Sequence, residues 1–322
     1  MGGDRAPAEI VAGARRAHDE LNIPVVLVGP DDGSLGDVGD LEIIPASEVI
    51  AMDEDPARGV RTKKDSTLVR AAESVRDGRA SAMVSAGNTG ATMASALLRM
   101  GRISGVARPA IATPIPVLGG SPTVLIDAGA NAECRPEWLV QFAQMAAAYM
   151  SARYDIAEPS VALLSIGEED TKGNDLVKET HARFKAGAGV RFIGNVEGRD
   201  LMSGSADVIV TDGFTGNVAL KALEGALTNF METLGKVFNA TPENKAAGDT
   251  LLPELLKYAT ILDPESTGGA MLLGVEGVCV ISHGSSSARA ILNAIKVAHD
   301  LVEKGLVDKI RAALGEVPTP PE

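Results

Sequence analysis

The chain has 322 residues, of which 45% are hydrophobic, 3% aromatic and 23% charged. This is the composition of a soluble globular protein with ample material for a core, and at roughly 150 residues per domain it allows two domains or one large α/β domain. Thirty Lys and Arg against 43 Asp and Glu leave a net charge of −13, which with so few aromatics argues against nucleic-acid binding by phosphate neutralisation or base stacking.

Taken in order, the chain opens on a loop-like Met-Gly-Gly-Asp and a first helix near Pro7. Neither a secretory signal nor a spanning apolar stretch is read in it. Short apolar runs then alternate with helical patterns: 24–28, 41–44, 80–84, 123–126, 161–164, 190–193, 207–210 and 277–281. Such runs predict buried parallel strands, each followed by a helix. The fold expected is an open, doubly wound α/β/α sandwich of the Rossmann-like kind. Residues 1–317 read as one α/β domain, with a polar helical hairpin inserted at about 239–265 and a frayed tail at 318–322. Within the hairpin, Leu255, Leu256, Ala259 and Leu262 predict an apolar stripe on a helix opened by Pro253. Core packing or a dimer contact competes with a membrane contact for that stripe. Cys134 and Cys279 form no metal spacing, and no metal or cofactor is expected.

Ligands of such sheets bind beyond the carboxyl ends of the strands. Five strand ends carry small polar clusters: Ser85-Ala86-Gly87-Asn88-Thr89-Gly90, Asp127-Ala128-Gly129-Ala130-Asn131, the 165–174 segment with Lys172, Thr211-Asp212-Gly213-Phe214-Thr215-Gly216-Asn217, and His283-Gly284-Ser285. If all five face one edge, they form a polar, anion-friendly cleft. Each residue also has a plainer reading. Lys172 can be a local ion pair with Glu168, Glu169 or Asp170, Asn217 a helix cap, His283 a buried hydrogen-bonding histidine, and the 85–90 segment an ordinary turn. Arg58, Arg61, Lys63 and Lys64 form the one dense basic patch, either a solvated face or a dock for an acidic partner. The patterns GxSxG, HExxH, GxGxxG and GxxxxGK[ST] are absent from the sequence, which speaks against an activated serine, a zinc protease site and a P-loop.

The strings MGGDRAP, RTKKDS, VSAGNTGA, DAGAN, SIGEEDTKGN, TDGFTGNVALK and ISHGSS, in this order from residue 1 to about 300, resemble the phosphate acyltransferase family of bacterial phospholipid synthesis. The resemblance implies a fold akin to isopropylmalate dehydrogenase and phosphotransacetylase. It implies a cytoplasmic, peripherally membrane-associated homodimer with active sites near the subunit interface. The reaction implied is transfer of a long-chain acyl group from acyl carrier protein to inorganic phosphate, whose acyl phosphate product feeds a downstream glycerol-3-phosphate acyltransferase. Lys172 and Asn217 fall on family positions implicated in catalysis or phosphate handling. Ser85, Gly87, Asn88, Thr89, Gly90, Asp127, Asn131, Asp212, Thr215, Gly216 and His283 are the expected phosphate and substrate contacts. Family members carry a short strand before MGGD. Its absence here leads us to expect a gap in the sheet and a gain in stability when a strand is added there.

This chemistry suits the residues. A thioester is already activated, and phosphate is anionic at neutral pH, so positioning and oxyanion stabilisation remain. Three alternatives are set against it: transfer between acyl-CoA and phosphate, a nicotinamide-dependent dehydrogenase, and a non-catalytic scaffold recruiting the carrier protein. The dehydrogenase would need metal-binding aspartates beside basic residues, an arrangement not seen in the sequence.

Overall fold

The computed structural model describes residues 1–315, so the tail expected at 318–322 lies outside the described residues. The helices are α1 (Ala8–Leu21), α2 (Pro56–Thr62), α3 (Thr67–Arg76), α4 (Thr89–Ser95), α5 (Pro136–Tyr154), α6 (Asp175–Lys185), α7 (Gly213–Phe238), α8 (Pro242–Leu262), α9 (Ala288–Glu303) and α10 (Leu306–Leu314). The strands are β1 (Val26–Gly29), β2 (Glu42–Pro45), β3 (Ala82–Ser85), β4 (Ala110–Ile115), β5 (Thr123–Ile126), β6 (Ser160–Leu164), β7 (Arg191–Val196), β8 (Val208–Val210), β9 (Ala270–Leu273) and β10 (Val278–Ile281). β1 and β2 form a small parallel sheet, and the other eight strands form one sheet in the order β3-β10-β9-β4-β5-β8-β6-β7.

The sheet is covered on both faces, which is why its central strands read as unbroken apolar runs. Val124 and Ile126 pack with α5, α6, α9 and α10 on one side. Their neighbour Leu125 points the other way, toward Leu220 and Leu223 of α7. On that second side α2, α3 and α4 bury Val60, Leu68, Val69 and Ala91 against Met83, Ile111 and Cys279. Full burial of each such side chain stabilises by about 1.5–3 kcal/mol before ordering costs. The α/β/α layering is the one expected.

Strand direction is not. β4 runs antiparallel to both β5 and β9, and β9 runs antiparallel to β10. As a result β3 and β10 point one way, while β5, β8, β6 and β7 point the other. The reversal rests on two strands the sequence pattern hid. β4 contains Pro114, which argues against a strand by its missing N–H. β9 is Ala-Met-Leu-Leu, with low strand propensity. The five polar strand ends therefore do not share one edge.

A cavity of about 460 Å³ separates β1 from β3. It is lined by Val26 and Val28 on one side, Met83 and Val84 on the other, and Val11 and Ile291 from α1 and α9.

The hairpin differs in detail from expectation. α8 begins at Pro242, with Thr241 accepting from Asn244 N at 3.1 Å, and Pro253 lies inside the helix. The distal half of α7 and most of α8 leave the body, exposing Phe230, Val237, Leu251, Leu252, Leu256, Tyr258 and Ile261. No helix among the described residues is long and apolar enough to cross a membrane.

Candidate functional site

The register aligns Ile126 of β5 with Val210 of β8, and Val210 with Leu163 of β6. The segments 127–131, 211–217 and 165–174 thus leave three adjacent, co-directional strand ends. Asp127, Asn131, Asp212, Thr215, Gly216, Asn217 and Lys172 all lie on them.

Asp127 organises the first segment. Its buried carboxylate accepts from the backbone N–H groups of Ile111 (3.0 Å), Gly129 (3.2 Å), Ala130 (2.9 Å) and Asn131 (2.7 Å), and from Asn131 Nδ2 (2.9 Å). Burial raises its pKa, and these hydrogen bonds pull the other way. Asn131 also donates to Pro109 O at 2.8 Å and accepts through its carbonyl from Gly213 N at 2.8 Å. Asp127 and Asn131 therefore build the loop, and the Asp127 carboxylate has little capacity left for a substrate.

The second segment opens α7. Asp212 is the cap, accepting from Thr215 N at 2.9 Å and Thr215 Oγ1 at 2.8 Å. The capping reading of Asn217 is thereby overturned. Asn217 lies one turn into the helix, is exposed, and makes no side-chain hydrogen bond among the described residues. Gly216 allows the helix to reach the first loop, since a Cβ there would sit 2.0 Å from Asp127 O. Asn217 flanks Gly129, its Cβ and Cγ lying 3.5 Å from where a Gly129 Cβ would be.

Lys172 sits in the third segment with its stem over Gly167. Its ammonium has no ion pair among the described residues. Glu168 pairs with Arg199 at 3.4 Å, and Asp170 pairs with Lys185 and faces His181 at 3.2 Å. The local ion-pair reading of Lys172 does not hold. Gly173 takes φ +99°, a left-handed bend that turns the chain from Lys172 into α6. Ser165 Oγ, enclosed at the end of β6, has no hydrogen-bond partner among the described residues. As an ordinary serine in a strand-end loop it carried no signal of its own in the sequence.

The remaining expected contacts lie on the oppositely directed half. Asn88 caps α4 through Ala91 N at 3.0 Å, and its Nδ2 donates to Ala51 O, Met52 O and Glu54 O at 3.1–3.2 Å. Ser85 Oγ lies 3.1 Å from Thr92 Oγ1 and accepts from Gly87 N at 3.1 Å. These side chains brace the turn, while Thr89 is exposed. Gly90 packs on Pro56 at the start of α2. His283 is exposed, not buried, with Nδ1 2.7 Å from Ser285 Oγ. Asp4 N donates to Gly284 O at 2.9 Å, which ties the opening Met-Gly-Gly-Asp loop to this cluster. The two halves approach through a shared core, where Ala128 and Ala130 pack with Ala91 and Ile281.

Of the basic patch, Arg58, Arg61 and Lys64 are exposed on and just after α2, whereas Lys63 is bound to Glu54 at 2.6 Å and Val49 O at 2.8 Å. Burial pushes the Cys134 thiol up to about 12, so it stays protonated at neutral pH and is no nucleophile.

Over nearly its whole length the chain is similar to proteins named phosphate acyltransferase. That of Heliobacterium modesticaldum is 48% identical over 319 residues, covering 97% of this chain and 95% of the relative. That of Elusimicrobium minutum is 47% identical over 323 residues, covering 98% and 94%. In fold it is similar to a branched-chain phosphotransacylase from Enterococcus faecalis V583, with a TM-score of 0.59 at 16% identity over 94% of this chain and 96% of the other. A phosphotransacetylase from Streptococcus pyogenes gives 0.55 at 16% identity over 94% and 90%. Residues 1–309 match the family described as Fatty acid synthesis protein, and with relatives this similar the chain belongs to that family, the one whose members named above are phosphate acyltransferases.

Proposed function

We propose that the protein transfers a long-chain fatty acyl group from the thioester of acyl carrier protein to inorganic phosphate. A phosphate oxygen attacks the thioester carbonyl, the C–O bond forms, the C–S bond breaks, and the carrier leaves as thiolate. The observation that carries this reading is an ammonium and an amide, Lys172 and Asn217, on adjacent strand ends, neither with a side-chain partner among the described residues, while Glu168, Asp170 and Asp212 beside them are engaged elsewhere. Negative charge gathers in that space, first on phosphate and then on the tetrahedral oxyanion. A point charge on a flexible stem and an amide N–H are the groups such charge needs. Relatives named phosphate acyltransferase support the transfer of an acyl group to phosphate. Incubation with palmitoyl-ACP and labelled phosphate should yield labelled acyl phosphate. No product from either palmitoyl-ACP or palmitoyl-CoA would overturn the reading, and equal use of both would replace the carrier with CoA.

In this reading the acidic carrier docks at Arg58, Arg61 and Lys64, beside the Gly90 turn that α2 touches. Reversing those charges should abolish the preference for ACP over CoA. A second copy of the chain covers the start of α7, where Phe214 is 65% exposed and Val218 lies one turn on, both next to Asn217. The exposed apolar side chains of the hairpin rest on the membrane surface, where the acyl phosphate passes to a glycerol-3-phosphate acyltransferase. The protein is then cytoplasmic and peripherally attached. Leu252→Glu with Leu256→Glu should cut binding to anionic phospholipid vesicles at least about tenfold, since each replaces an inserted apolar side chain by a charge. Unchanged vesicle binding by a variant that remains dimeric would remove the hairpin from membrane contact.

A further inference from the structure

His181 is 3% exposed on α6, and nothing in the reaction above uses it. Its surroundings lead to Lys172. His181 Nδ1 lies 2.9 Å from Asn195 Oδ1 on β7. Asn195 Nδ2 donates to the carbonyl of Glu169 at 3.0 Å, and that carbonyl also accepts from the backbone N–H of Lys172 at 3.0 Å. One oxygen is thus held from the body of the protein on one side and holds the lysine's backbone on the other.

The polarity of this relay is determined by chemistry. A backbone carbonyl only accepts, so the Asn195 amide nitrogen must face Glu169. Its oxygen then faces His181, which must carry its proton on Nδ1. Nε2 points toward Asp170, 3.2 Å from Oδ1 but off the line of a hydrogen bond. Phe192 packs its ring against the imidazole, with centroids 5.0 Å apart, and stops it from rotating away.

We propose that His181 is a positioning residue that acts through Asn195 and the Glu169 carbonyl to hold Lys172 at the strand end. This rests on the reading of Lys172 given above. The loop it holds has a left-handed bend at Gly173 and an otherwise exposed tip, and the tie to Asn195 joins that tip to the sheet, beside the pairs Glu168–Arg199 and Asp170–Lys185 that hold its side chains. Without it the lysine stem remains, but its position over the phosphate space is no longer defined.

A double-mutant cycle tests this with labelled phosphate as substrate. His181→Leu should lower kcat/KM for phosphate about tenfold in the wild-type background and lower it little further when Lys172 is already Met, because residues acting as a unit are not additive. His181→Asn, whose amide N–H can stand in for Nδ1–H, should keep activity within about threefold of wild type. Equal losses in both backgrounds, or no loss in either, would overturn the proposal. If His181→Leu fails to fold, Asn195→Asp carries the same cycle, since it turns an oxygen against the Glu169 carbonyl and should behave as His181→Leu does. Full activity of Lys172→Met by itself would instead remove the reading on which the proposal rests, and is seen separately.

Discussion

Lys172→Met should lower turnover by about 10²–10³, the loss of ~2.7–4 kcal/mol expected for removing a donor that stabilises developing charge. The melting temperature should stay unchanged, because Lys172 is exposed and its ammonium makes no ion pair among the described residues. The two arms separate its roles. A rise in KM for phosphate with kcat retained would make it a ground-state phosphate ligand. A fall in kcat with KM retained would place it on the oxyanion. Asn217→Ala should give the same signature more weakly, as a neutral donor is worth roughly half a charged one. A Lys172→Met enzyme with more than about a third of wild-type turnover and an unchanged KM would remove Lys172 from the mechanism, since a donor of this kind should cost at least ~10².

Asp127→Ala should be the most destabilising single change in the site. It strips the acceptor from four backbone N–H groups and one side-chain amide around a carboxylate that is itself fully buried. Leaving even two of these buried donors unpaired costs about 2–6 kcal/mol. Calorimetry should show a melting temperature lower by several degrees, roughly 2–4 °C per kcal/mol in large domains. Activity should fall as well, because Gly216 and Asn217 are placed against the loop that Asp127 shapes. An Asp127→Ala protein that melts as wild type does would show that water replaces the carboxylate, and that the loop does not depend on it.

Much of the framework was legible in the residues. β5, β6, β8 and β10 are buried on both faces, so their apolar runs stand out. The polar ends of these strands follow from the same reasoning. β4 and β9 were not legible, because a proline in one and Met-Leu in the other mimic other structures, and with them went the direction of half the sheet. Local hydrogen bonding misled at Asn217, since Asp212 five residues earlier takes the cap. The His181–Asn195–Glu169 relay left no pattern at all. Its members come from a helix, a strand and a loop, and only tertiary packing brings them together.

No backbone hydrogen bond joins β1 and β2 to the large sheet, and the cavity beside β3 leaves both flanking edges without ladder partners. The small sheet is tied to the body through side chains, with Leu27 and Leu41 packing on Val11 and Ala14 of α1. A unit held in that way breathes independently of the rest. In native-state hydrogen exchange the amides of Val26–Gly29 should trade protons long before those of Val124–Ile126, at free energies well below global unfolding. The Asp31–Asp40 segment that links the two strands should be an early point of proteolytic entry, before the buried strands β5, β6 and β8 that carry Asp127, Lys172 and Asn217 at their ends.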